Sequence, residues 1–317
     1  MKRKNMSIIG CLLTAAMTAA VPQHYIDVHA GAGVGSWGYT LDGGTTQIGN
    51  TYSAGTGYTW FFLPTVGLQT GLQVTRISSY AVLTKLLEYG PLTDYQDEQY
   101  VHRVAFSNWR EKEEAWFLQV PVGLRFAYFA NENSQAGLHA AVGVSLTIPM
   151  HANAHTTGTV THTGWYESWQ IEFHDLPGRF MTESMDQRSD TKSRLLSVNA
   201  MMYAELGTTI RLGQRTQMLI TAYAQYGLND FSSVKRSDRT PLGFANAANG
   251  YTFMSEYKGL FGTDKIGVLT PWTAGLKLAL SVRAGRTDEQ KKQLLLKLAT
   301  EFPDVLPCPP EEKGSEE

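Results

Sequence analysis

Charge is scarce in this chain of 317 residues: Asp, Glu, Lys and Arg make up 18 % of it, below the usual quarter. A formal net charge of −2 leaves no basic excess for a nucleic-acid surface, so no nucleic-acid partner is expected. Cysteine is scarcer still. Cys11 and Cys308 alone cannot build a disulfide framework or a zinc site. Past residue 21 no run reaches the ~18 apolar residues of a membrane-spanning helix. That excludes a helical membrane protein but not one that crosses with strands, whose short alternating segments escape a hydropathy scan. What the chain has in plenty is 30 Gly, 15 Tyr and 7 Trp.

The first twenty residues stand apart. Lys2, Arg3 and Lys4 precede an apolar stretch from Met6 to Ala20, and Thr18 and Ala20 offer the small side chains of a cleavage site. Residues 1–20 therefore read as an export signal peptide. Ile8-Ile9-Gly10-Cys11 resembles a lipoprotein box, but the apolar stretch continues past the cysteine, which makes lipidation the weaker reading. With the signal removed, Cys308 is the only cysteine left and no intrachain disulfide can form.

Beyond the signal, segments of period two recur, each a strand with chemically distinct sides. Ile26, Val28, Ala30, Ala32 and Val34 oppose Asp27, His29, Gly31 and Gly33. Tyr58, Trp60 and Phe62 oppose Gly55, Gly57 and Thr59, and Leu68, Leu72 and Val74 oppose Gln69, Gly71 and Gln73. The fourth segment is the clearest, with Trp116, Leu118, Val120, Val122, Leu124, Phe126 and Tyr128 on one side. Four more follow, around Leu138–Ile148, Val198–Arg211, Met218–Leu228 and Trp272–Val282.

The connections after segments two, four and six are a few residues long, whereas those after three, five and seven run to about thirty or forty, well beyond ordinary loops. Short turns at one end and long loops at the other is the asymmetry of an outer-membrane barrel. One face of each segment is apolar enough for lipid, and the other carries glycines and scattered polar groups suited to a narrow lumen. Closure removes the edges that hydrocarbon would leave unpaired. The fold expected is all-β: an eight-stranded antiparallel up-and-down transmembrane β-barrel over residues 23–283, with long extracellular loops and a short C-terminal periplasmic helix in a tail at 284–317.

Phe117-Leu118-Gln119-Val120-Pro121-Val122-Gly123-Leu124-Arg125-Phe126 is similar to the fourth strand of the Bacteroidetes outer-membrane barrel proteins, the PorT-like group. Tyr226-Gly227-Leu228-Asn229-Asp230 and Ala274-Gly275-Leu276-Lys277-Leu278 resemble that family's last two strands. The resemblance covers roughly residues 23–283 in the order and spacing of elements. It implies the shape of the OmpA membrane domain and a structural or accessory outer-membrane role, in some members within secretion, with no common catalytic residue. The chain departs from the pattern in its longer loops and in the tail that follows the last strand.

With the N-terminus in the periplasm, Asp27, Arg125, Glu205, Arg211 and Lys277 all point inward in the periplasmic half. Unpaired charges in so confined a space are costly, so a lumenal charge network among them is expected, either as a gate or plug or as packing that fills the barrel. The third long loop contains His151, His155, His162, His174, Asp175 and Ser168. A His beside an acid can orient a base, but scattered loop positions do not hold catalytic geometry, and neither catalysis nor a metal site is expected. No cofactor is expected.

Aromatic residues crowd the long loops. Trp109, Trp165, Tyr166, Trp169, Phe253 and Tyr257 are candidates for an extracellular interface with a protein partner, or for a cap in which the loops fold on each other. Arg76 and Lys85 suit lipopolysaccharide phosphates, and outer-membrane lipid covers the apolar face. In the tail, Thr287 and Gln290 have capping-box spacing, and Leu294, Leu295, Leu298 and Phe302 recur at helical intervals, a face able to dock a partner or plug the barrel. The function expected is a structural or partner-binding outer-membrane protein, not an enzyme. The alternatives are an accessory subunit of a secretion or surface-assembly complex and a narrow solute channel.

Overall fold

The computed structural model describes residues 23–284, except 85, 95, 132–133, 177–179, 190–195, 233–241, 247–252, 258, 261–262 and 264. The expected signal peptide and the tail with Leu294, Leu295, Leu298 and Phe302 lie outside the described residues. The strands are β1 (Gln23–Ser36), β2 (Gly44–Phe61), β3 (Val66–Leu83), β4 (Leu87–Thr93), β5 (Gln99–Phe129), β6 (Ala136–Tyr166) and β7 (Ile171–Phe173). There follow β8 (Thr182–Ser189), β9 (Asn199–Arg211), β10 (Thr216–Gly227), β11 (Leu242–Asn246), β12 (Phe253–Tyr257) and β13 (Trp272–Ala284). The described residues contain no helix.

Eight strands pair antiparallel in a ring, β1–β2–β3–β5–β6–β9–β10–β13, and β13 returns to β1 from Ser36↔Trp272 down to His24↔Ala284. These are the eight segments that alternation picks out. Because the ring has no free edge, the ladder satisfies the backbone all the way round.

Period two sorts the side chains. Ile26 and Val28 on β1, Leu72 on β3, Val142 on β6 and Leu278 on β13 face outward and are exposed. Asp27, His29, Gln73, Arg125 and Lys277 face inward and are buried. Apolar side chains outside and polar ones inside is the reverse of a soluble fold. Aromatic residues mark both margins of the apolar belt: Trp60 and Tyr128 near the short turns, Tyr52, Trp116 and Tyr226 toward the other end. Gly123 and Gly143 are register partners on β5 and β6, and a Cβ on them would lie 2.4 and 2.8 Å from the Tyr203 hydroxyl. Glycine at both positions lets that ring reach into the lumen.

The structure corrects the expectation of long loops after the third and fifth segments. Most of both stretches is strand, since β5 begins at Gln99 and β6 continues to Tyr166. Two physical changes hide this from a period-two reading. Beyond Trp116 the outward positions become charged, as at Arg110, Lys112 and Glu114, while Ala115 and Val104 are buried inside. The outward face thereby turns charged, while the inward face mixes apolar side chains with the buried Glu111 and Glu113. Bulges also reset the count. Trp116 pairs with His151 but Phe117 with Pro149, so Met150 is an extra residue, and Ala152, Ala154 and Thr156 turn inward. A second shift between Ser107 and Arg110, with positive φ at Asn108 and Gly158, moves the inward face of β5 from Glu111 and Trp109 to Val104 and His102. The extended β5–β6 hairpin is flanked by β4 on one side and by β7 and β8 on the other, and β11 pairs with β12 separately.

Candidate functional site: the filled lumen and the projecting hairpin

Inward side chains in the lower half of the ring bond to one another. His29 reaches Asp27 at 3.1 Å and Gln73 at 3.0 Å. The Gln73 amide donates to Gln119 at 2.9 Å and to Thr75 at 2.9 Å. Gln119 in turn donates to Thr147 and Gln225, each at 3.4 Å. His139 sits between Thr209 and Thr221 at 3.0 and 2.9 Å. The space left among these groups is a cavity of about 30 Å³, room for little more than one water.

The five residues expected to form a charge network are brought together only in part. Lys277 donates to Glu205, and Asp27 takes His29 as its partner. Arg211 lies with its guanidinium 3.9 Å from the Phe129 ring centre and donates to the Ser134 carbonyl at 3.3 Å. Arg125 is buried and donates at 3.4 Å to the Thr59 hydroxyl, with no carboxylate within 4 Å among the described residues. Direct contacts thus join Lys277 to Glu205 and Asp27 to His29, and Arg125 interacts with Asp27 and Glu205 through space.

Above the polar layer the lumen is closed by rings. Phe117 packs against Trp37 at 5.8 Å and Phe231 at 6.1 Å, and all three are fully buried. The segments carrying them form a cap. The Asp42 amide donates to the Lys265 carbonyl and that of Gly267 to the Thr40 carbonyl, both at 2.8 Å. The Phe231 amide donates to the Leu269 carbonyl at 2.9 Å. Two buried glutamates on β5 hold this cap to the wall. Tyr39 donates to Glu113 at 2.7 Å, and Glu111 accepts from the Leu260 amide at 3.0 Å. Burial, and then the Glu111 charge, raise the Glu113 carboxyl well above the usual carboxylate range. Alternation over the fourth segment starts only at Trp116, so this acidic pair goes unseen in the sequence; the string Glu111-Lys112-Glu113-Glu114 is the one signal that could have found it.

The projecting hairpin has a small core of its own. Tyr100 stacks on Tyr166 at 5.3 Å, and Phe180 meets Tyr100 edge-on at 5.7 Å. Beside them His102 and His162 share a hydrogen bond of 2.9 Å. Burial, and then the neighbouring His162, lower the His102 pKa to about 4. Of the expected interface residues, Trp109 and Tyr166 are buried and serve these cores. Trp165 lies 4.9 Å from the Arg103 guanidinium. Trp169 stacks on Tyr166 at 5.1 Å yet remains 43 % exposed, with Ile171 exposed beside it. Phe253 and Tyr257 lie on β12, the second strand of the β11–β12 hairpin.

The loop histidines are dispersed. His155 pairs with Asp186 at 2.7 Å, His162 with His102, and His174 lies 3.9 Å from Glu172. No group of three metal-ligating side chains occurs among the described residues. Arg76, expected at lipopolysaccharide phosphates, is engaged by Glu114, and Lys85 lies outside the described residues.

No family model and no curated protein matches the chain. Among solved structures it is similar to the outer membrane protein OprG from Pseudomonas aeruginosa, at 11% identity and a TM-score of 0.34, over 82% of this chain and 95% of that one. It is also similar to the N-terminal β-barrel domain of OprF from the same organism, at 12% identity and a TM-score of 0.26, over 82% and 99%. A third similarity is to Ail, the attachment invasion locus protein of Yersinia pestis, at 12% identity and a TM-score of 0.26, over 82% and 97%.

Proposed function

We propose that this chain is an integral outer-membrane β-barrel with a structural, partner-binding role, which it performs through the hairpin projecting beyond the lipid. The apolar belt supports the membrane assignment. Between its aromatic margins, Tyr52 to Trp60 on β2 and Trp116 to Tyr128 on β5, the strands run roughly 26 to 40 Å. Strand tilt brings that close to the ~25 Å apolar band of such barrels. Outer-membrane acyl chains and lipopolysaccharide are then its lipid partners, and the PorT-like group is the family this reading favours.

The observation that carries the role is the hairpin. Gln99–Ala115 of β5 lies past the belt, roughly 55 Å of strand at ~3.3 Å per residue. It has its own buried core and ends in the exposed pair Trp169 and Ile171. Exposed aromatics on a rigid support are the usual anchors of an interface. The packed lumen and the fused cap count against a solute channel, and the dispersed histidines count against hydrolysis.

Topology and binding are tested together in a Cys308→Ser background. Trp169→Cys should react with a membrane-impermeant maleimide on intact cells, whereas Ser134→Cys should react only after lysis. A photo-crosslinking residue at position 169 should give a discrete adduct that one at Leu212, on the opposite end, does not. Labelling of Ser134→Cys on intact cells would overturn the orientation, and crosslinking indistinguishable between the two ends would overturn the partner-binding role.

A further inference from the structure

The mouth of the ring at the short-turn end holds a cavity of about 110 Å³ lined by Gln23, Tyr25, Arg125, Thr209, Arg211 and Gln217. Among the described residues no acidic side chain lines it. Arg125 forms its inner wall and also borders the small central cavity, so its guanidinium separates the two. Arg125 as a whole is 6 % exposed, and its one side-chain hydrogen bond is the long contact to Thr59. The two inward carboxylates nearest in the lumen are already committed, Asp27 to His29 and Glu205 to Lys277.

Asp27 and Glu205 act on the Arg125 charge through space, but its single hydrogen bond to Thr59 leaves most of its five N–H donors unspent, and that planar fork matches the two oxygens of a carboxylate or phosphate. The remaining polar groups complete such a site. Arg211 adds a second positive charge at the rim. Tyr25 donates to Gln23 at 2.9 Å, and Gln217 donates to Ser281 at 3.5 Å, so both amide side chains are held in place beside the opening.

We propose that this mouth binds a small oxyanion, a carboxylate or phosphate group, with Arg125 as the deep ligand and Arg211 at the rim. The volume admits a head group of that size with the rest of its molecule projecting outward, and leaves no room for a sugar ring inside. The site is independent of whatever the opposite hairpin meets, so each reading can fail without the other.

The experiment is calorimetric titration of the full chain, in a non-ionic maltoside at pH 7, with inorganic phosphate and separately with succinate. At least one anion should bind saturably. Its affinity should fall at least tenfold in Arg125→Gln and at least threefold in Arg211→Gln, with folding checked by heat-dependent gel mobility. Should Arg125→Gln fail to fold, Arg211→Gln carries the test alone. Phosphate as the tighter probe would identify a phosphorylated ligand, and succinate a carboxylic acid. Unsaturable titrations with both anions, or affinities unchanged by the substitutions that fold, would overturn the proposal.

Discussion

The Tyr39 hydroxyl donates to the Glu113 carboxyl at 2.7 Å, joining the cap over the ring to the inner face of β5. Burial raises Glu113 well above the ordinary carboxylate range, and the Glu111 charge raises it further. The neutral acid is therefore the form that fits the folded cap.

The sign of the pH dependence follows. A carboxyl whose folded pKa lies above its unfolded value binds more protons in the native state. Its contribution is complete below the unfolded value and is lost as pH rises through the folded one. The protection factors of the Asp42 and Gly267 amides, which bond to Lys265 and Thr40 across the cap, should fall as pH rises above the usual carboxylate range. Glu113→Gln keeps an acceptor for Tyr39 and removes the charge, so it should flatten that dependence. Tyr39→Phe should lower stability by about 1–3 kcal/mol. A Glu113→Gln profile parallel to the wild type would remove Glu113 as the cause.

His102 predicts an opposite trend in the hairpin. Its pKa is depressed to about 4, chiefly by burial. A depressed histidine binds fewer protons in the folded state, so its contribution is present above ~6.5 and is lost as pH falls toward 4. Proteolysis of the hairpin should accelerate between pH 6.5 and 4 while the cap tightens. His102→Phe should blunt the acid sensitivity, read as the rate of appearance of the cleaved fragment.

The apolar belt makes a quantitative demand on Leu278, which is 57 % exposed and central among the outward residues of β13. Arg at the midplane of a barrel's lipid face costs roughly 2–4 kcal/mol. Leu278→Arg should lose that much in urea-dependent refolding into lipid vesicles. Arg in place of Val282, nearer the short turns, should cost less. Equal penalties at the two depths would argue against a bilayer around the ring.

The eight ring strands were legible because one rule, apolar outward and small or polar inward, holds from Ile26 to Val282 inside the belt. The same rule conceals the hairpin. Beyond Trp116 the outward face is Lys112 and Glu114 while the inward face mixes Ala115 with Glu111 and Glu113, so the apolar-outward rule fails within a single strand. Met150 then shifts β6 by one residue, which no count of alternation survives. The lumenal charges were legible as inward-facing. Their partners were not, because choosing between His29 and Arg125 for Asp27 depends on sub-ångström placement that sequence does not carry.

The bulge itself can be removed. Deleting Met150 removes the one unpaired residue and leaves the pairing with β5 continuous, so Ala152, Ala154 and Thr156 stay inward and His151 and Asn153 stay outward. The ring below position 149 keeps its register. The variant should still show heat-dependent gel mobility, and Arg103, Arg110 and Lys112 should stay as protected from trypsin as in the wild type. New tryptic cuts at those residues would mean that the hairpin needs the bulge itself and not only the pairing on either side of it.

The last prediction separates a filled lumen from a gated one. Lys277 and Glu205 pair inside the ring, and Glu205→Ala leaves the ammonium buried without its counter-charge, a loss of about 3–5 kcal/mol. If that pair were a gate, breaking it would open a path. The lumen has two further closures that do not involve it: the amide lattice of Gln73, Gln119 and Gln225, and the rings of Phe117, Trp37 and Phe231. Glu205→Ala should therefore melt at a lower temperature in detergent while planar-bilayer traces stay closed. Removing Phe117 as well (Phe117→Ala) would cut a hole of phenyl size in the second closure, at a further cost of about 3–5 kcal/mol. Because the amide lattice still stands, the double variant should remain closed too, and steady single-channel steps from Glu205→Ala alone would make the ion pair a gate after all.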